Sequence, residues 1–120
     1  MLTPIWGLPE GTVGFEAAGH VTDKDYKERL IPALDAAIEE HGKIRFLFLL
    51  GSKFEGYDPM AMFDDTMFGL KHMSDFERIA VVTDDQMIGG MLRTFAPMLP
   101  SDTKVFPVKD LSAAKQWLAG

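Results

Sequence analysis

The chain has 120 residues, no cysteine, and 18 acidic against 12 basic side chains, for a formal net charge of −6. That length corresponds to one domain over residues 1–120, able to bury a core without a metal or disulfide staple. The composition excludes disulfides, thiol catalysis and cysteine-ligated metals, and the absence of a basic block argues against a nucleic-acid footprint.

Residues 1–11, MLTPIWGLPEG, lack the positive start and apolar run of a secretory signal. The longest unbroken apolar run, residues 46–50, is too short to span a bilayer. A cytoplasmic domain without stable membrane insertion is therefore expected. Residues 2–8 read as a strand, PEG at 9–11 as a turn, and 12–21 as a second strand, together an antiparallel hairpin. Thr22 opens a helix, with Asp25 three residues on as a capping-box variant. Apolar residues at Tyr26, Leu30, Ala33, Leu34, Ala37 and Ile38 keep helical spacing, and Pro32 predicts a kink within it. Gly42 ends that helix.

KIRFLFLLG at 43–51 is a near-continuous apolar strand of the kind buried on both faces in parallel sheets. GSKFEGY reads as a loop, and Asp58-Pro59 as the cap and first position of a helix running to about His72. Residues 76–84 form another buried strand, 85–98 a helix, 103–108 a last strand, and Asp110 caps a final helix. The order β-β-α-β-α-β-α-β-α predicts an α/β fold with right-handed crossovers and a mostly parallel sheet.

That order and the stretches LIPALDAAIEEHGKIRFLF, FEGYDPMAMFDD, GLKHMSDFERIAVVTD and KVFPVKDLSAAKQWL resemble the SpoIIAA-like family of the STAS-domain superfamily over essentially the whole chain. The resemblance implies a five-stranded mixed sheet in a β-α superhelix. It implies no established activity and no cofactor for the small stand-alone members. The better-understood STAS relatives antagonise anti-sigma factors, and a serine that follows an aspartate at the start of a helix is their phosphorylation switch. Here that start reads Asp58-Pro59-Met60, with no hydroxyl after the aspartate, which leaves Ser52 as the fallback.

Residues 54–73 hold four methionines and three phenylalanines. On a helical wheel Met60, Phe63, Met67 and Leu70 form one stripe and Met62, Thr66, Gly69 and Met73 a second, while Asp64, Asp65, Lys71 and His72 lie opposite with Phe68 among them. A single core-facing stripe needs about a third of the cylinder, and this face is wider. Its ordinary reading is that one stripe meets the sheet and the other a neighbouring helix. The helix at 85–98, with Met87, Ile88, Met91, Leu92, Phe95 and Met98 on one arc, is that expected neighbour, so seven of the eight methionines would meet at one seam. The second reading uses the same seam to hold a small apolar, lipid-like ligand, because methionine is flexible and polarisable. Phe68, an aromatic on a polar face, suggests a homodimer or partner contact.

Ligands of open α/β sheets bind at the carboxyl ends of the strands. That rim supplies Ser52, Glu55, Tyr57 and Asp58 after one strand, and Thr83, Asp84 and Asp85 after the next. Gly51–Gly56 has the spacing of a phosphate loop but not the Lys-Ser/Thr that must follow it. Asp64 and Asp65, being adjacent on a helix, cannot face each other as a catalytic dyad. His20, His41 and His72 show no metal-ligand spacing, Arg78 reads as a surface cation, and Trp6 and Trp117 as core. No metal is expected. The expectation is a non-enzymatic regulatory or interaction module binding a protein partner or itself, with an apolar-ligand carrier or sensor as the alternative.

Overall fold

The computed structural model describes the backbone of residues 1–120 and the side chains of all but Met62, Phe63, Thr66 and Met73. Strand β1 (Leu2–Pro4) pairs antiparallel with β2 (Thr12–Val21), Leu2 opposite Ala17 and Pro4 opposite Phe15. Gly11, at φ +82°, takes the left-handed conformation that closes the turn. β1 is shorter than expected, because Gly7, also at φ +82°, turns the chain out of the extended region. Ile5 and Leu8 still pack on the core, but Trp6 is 84% exposed, which corrects its assignment to the interior.

After β2 the predicted capping box is present: Asp25 N donates to Thr22 Oγ1 at 3.1 Å, and Thr22 N to Asp25 Oδ2 at 3.0 Å. The helix it starts is not simply kinked at Pro32. A short turn, α1 (Asp23–Asp25), widens into a π-helical segment (Tyr26–Leu30) before α2 (Ile31–His41) begins with Pro32 in its first positions. Proline has no N–H to give, and the wider turn places it where a helix start leaves donors unused anyway.

β3 (Ile44–Tyr57) runs through the stretch expected to be a loop. β2 carries it there, since His20 pairs with Gly56 and Val21 with Tyr57 in parallel register. β4 (Phe76–Thr83) pairs with β3 only as far as Leu50 opposite Thr83, and β5 (Asp102–Phe106) completes a sheet of order β1-β2-β3-β4-β5. One pair is antiparallel and three are parallel. α3 (Pro59–Lys71) and α4 (Gln86–Phe95) connect the parallel strands, and α5 (Leu111–Ala119) ends the chain. No helix among the described residues is long and apolar enough to cross a membrane.

Alternation along the strands gives two cores. Phe46, Phe48, Leu50 and Val81 face a cluster that takes in Leu34 of α2, Ala61 and Phe68 of α3, and Ile88 and Leu92 of α4. Leu47, Leu49, Ala80 and Val82 face the other way, onto Ala114, Trp117 and Leu118 of α5. α5 is held at its C-terminal carbonyls, where a helix is electronegative. The Arg45 guanidinium, paired with Glu77 at 2.6 Å, donates to the Leu118 carbonyl, and Arg78 donates to the Trp117 carbonyl at 2.6 Å. Arg78 also stands over the Trp117 ring at 5.5 Å, so it is a helix clamp and not the surface cation expected. Asp58 and Asp110 flank their helices but neither side chain caps a backbone N–H. Asp110 instead closes a 3-10 turn that leads into α5.

Candidate functional site

The strand-end rim divides into two parts. Ser52 and Glu55 are exposed on the part of β3 that extends beyond its pairing with β4. The Tyr57 ring turns in against Phe54, 5.2 Å between centroids, and Tyr26, 6.1 Å, while the Asp58 N–H is spent on the Val21 carbonyl at 2.9 Å. Across the gap Thr83 is buried, and its hydroxyl accepts from the Asp85 N–H at 3.0 Å. Asp84 accepts from the Val108 N–H at 3.0 Å, and Asp85 caps α4 through the Ile88 N–H at 2.9 Å. Three of the rim's polar residues therefore hold backbone.

α3 is turned the opposite way from the wheel expectation. Ala61 is fully buried, Phe68 is half-buried against Phe76 at 6.4 Å and His72 at 4.4 Å, and Met60, Met67 and Leu70 point to solvent. Phe63, expected on the same stripe, lies outside the described residues. Polar contacts fix this orientation. The buried Tyr26 hydroxyl donates to Asp65 Oδ1 at 2.9 Å. Burial beside that carboxylate holds the Tyr26 phenol far above its ordinary pKa, and burial raises Tyr57 likewise, so both stay protonated. Asp65 is exposed along one flank, but the protein on the side that meets Tyr26 raises its pKa, and the hydrogen bond from Tyr26 pulls it down. Just past the end of α3, His72 places Nδ1 at 2.9 Å from Asp75 and Nε2 at 3.4 Å from Asp35 of α2.

Asp64, which the sequence offered only as half of a non-facing pair, finds its partner on α1. Asp23 Oδ1 and Asp64 Oδ2 are both sealed from solvent; Lys27 Nζ stands 3.3 Å from Asp23 Oδ1, and among the described side chains neither oxygen accepts a hydrogen bond in good geometry. A single proton held between the two carboxyls would satisfy both atoms. The interaction between the two carboxyls raises the Asp64 pKa above the ordinary carboxylate value and holds Asp23 below it, and Lys27, 3.3 Å from Asp23, lowers Asp23 further. The sequence held no signal for this pairing beyond two acids inside an otherwise apolar helix.

The outward face is apolar on α4 as well. Ile88 and Leu92 pack inward, while Met87, Met91 and Phe95 of the helix and Met98 just beyond it are exposed. Among the described residues the two helices thus do not meet at a methionine seam, because Met60 and Met67 of α3 and Met87 and Met91 of α4 turn outward. An open depression of about 550 Å³ lies at the start of α2 beside α3, lined by Ile31, Met67, Phe68 and Leu70, with Asp64 and Lys71 at its rim. Elsewhere Glu10, Glu40 and His41 bring one ligand atom each within 4.8 Å of one another on the surface near the hairpin turn.

The family model described as SpoIIAA-like matches residues 12–119. Among solved structures, an uncharacterised protein of the DUF3478 family with a SpoIIAA-like fold, from Shewanella loihica, is 26% identical with a TM-score of 0.76, over 98% of this chain and 92% of that one. No curated protein matches.

Proposed function

The chain belongs to the SpoIIAA-like family, and from that membership we propose that it is a regulatory or interaction module, not an enzyme, that docks on a protein partner or on itself. One observation carries the reading: α3 and α4 both turn apolar stripes outward on the same side of the sheet. Exposed apolar surface of this extent marks docking sites on proteins. The rim offers no rival constellation, since Thr83, Asp84 and Asp85 are engaged with backbone. Peroxide footprinting of dilute protein tests the reading: Met60, Met67, Met87, Met91 and Met98 oxidise nearly as fast as in the unfolded chain. Protection of these residues in the dilute monomer, or a turnover that is lost in Asp58→Asn, overturns it.

The second reading, a carrier or sensor of a small apolar ligand, is favoured by the apolar lining of the open depression beside α3, formed by Ile31, Met67, Phe68 and Leu70. A gently purified sample whose native mass exceeds that of the chain by a few hundred daltons, as an order of magnitude for such ligands, supports it.

A further inference from the structure

The α4 stripe is a continuous row. Met87 is 85% exposed, Met91 53%, Phe95 51% and Met98 74%, at spacings that keep them on one side of the helix and the turn that follows. Gly90 and Thr94 flank the row. A Cβ built on Gly90 meets no atom within 4 Å, so the helix backbone is open to close approach there. A glycine inside an exposed helix costs about 1 kcal/mol against alanine, and no contact within the chain explains it.

We propose that this row is the contact between two copies of this chain, α4 against α4 about a two-fold axis. The inference rests on the docking reading above and names its partner. Area is the first argument. At roughly 200 Å² for a fully exposed side chain of this size, the four residues present roughly 500 Å² per copy, and two copies reach the roughly 1,000 Å² that a specific interface must clear. The α3 stripe lies on the same side and adds to that area if the contact extends to it. Charge is the second argument. The chain carries a net −6, yet between Gln86 and Phe95 there is no carboxylate, and the one cation there, Arg93, is exposed with its guanidinium beside Gly89. The nearest exposed carboxylates on this segment, Asp84 and Asp85, stand before the row's first residue, so two acidic copies that cross along Met87–Phe95 set no carboxylate within the row itself. Symmetry is the third. A two-fold contact buries the same patch on both partners, so one self-complementary apolar row suffices.

Sedimentation velocity of the full chain over a range of concentrations, with peroxide footprinting in parallel, tests this. The expected result is a sedimenting mass that doubles with concentration while oxidation of Met87, Met91 and Met98 slows. Met91→Glu buries an unpaired charge in the contact and weakens association roughly tenfold or more. Met87→Glu, at the most exposed position of the row, does the same, and a circular dichroism spectrum like that of wild type shows that both variants fold. A dimer that neither variant weakens overturns the proposal. A monomer at every concentration with fast-oxidising methionines overturns it and leaves the docking reading standing with another partner. A monomer with protected methionines overturns both.

Discussion

Replacing Tyr26 by phenylalanine removes one oxygen atom from the junction that seats α3. Tyr26 is 1% exposed, and its hydroxyl donates to Asp65 at 2.9 Å. A hydrogen bond to a charged acceptor contributes about 1.5–3 kcal/mol net. The flank of Asp65 is open to water, which can replace the lost donor, so the lower end applies, about 1.5 kcal/mol. For a domain of this length that lowers the melting temperature by about 5 °C. The loss depends on pH. Asp65 has a folded pKa raised above its unfolded value, so its contribution to stability is complete below the unfolded pKa and declines as pH rises through the folded one. The Tyr26 hydrogen bond opposes that rise, and its removal lifts the folded pKa further. Tyr26→Phe therefore costs more at pH 7 than in mild acid, where Asp65 is protonated in both proteins. Urea unfolding at both pH values measures this. No loss at pH 7, or an equal loss at both, refutes the junction as described.

Asp64→Asn supplies an N–H to Asp23 at every pH, whereas wild-type Asp64, its pKa raised, gives up the shared proton as pH rises, and Asp23, its pKa lowered, acts in the opposite sense at the acid end. The wild type is expected to lose stability relative to the variant from mild acid to neutral pH, and denaturation midpoints that run parallel refute the shared proton. Arg78→Ala removes the Trp117 carbonyl clamp and the cation over the ring, and is expected to lower stability by about 1–2 kcal/mol. Trp117 emission read in a Trp6→Phe background should shift to the red. Gly14→Ala places a Cβ 2.5 Å from Leu8 Cδ1 and 3.2 Å from Ile5 Cβ, so it forces the β1 extension outward and lowers the melting temperature by several degrees.

The order of strands and helices was legible because it rests on period and length. Strands such as Phe46–Leu50 are apolar on both sides, and the sheet buries both. What sequence could not show was set by contacts between distant residues. Gly51, Ser52 and Gly56 look like loop, yet β2 pairs with that stretch from more than thirty positions away. The capping box of Thr22 and Asp25 was readable because it is local, while Asp58 and Asp110 have capping identity without capping geometry. The orientation of α3 was the largest miss. Hydrophobicity placed Met60 and Met67 inward, but Asp65 answers to Tyr26, 39 residues earlier. Of the candidate site, Ser52 and Glu55, expected on the rim, are exposed, and Met60 and Met67, placed by preference in the core, are exposed as well. Thr83 and Asp84 instead tie the start of α4 to its surroundings.

The orientation of α3 balances two terms of similar size. Leaving Met60, Met67 and Leu70 half-exposed forgoes roughly 1 kcal/mol each against full burial. Rolling the helix to bury them would strip a buried phenol of its acceptor, at a cost of about 1–3 kcal/mol, and pull Phe68 from Phe76, at about 0.5–1.5 kcal/mol more. The polar junction thus holds the apolar stripe outward against a nearly equal drive to turn it in. Whatever covers the stripe removes that opposing drive, so binding and the seating of α3 reinforce each other. Hydrogen exchange in α3 should slow when a partner is bound there, and a partner that covered the stripe without slowing it would show that α3 is held by something other than Tyr26, Asp65 and Phe68.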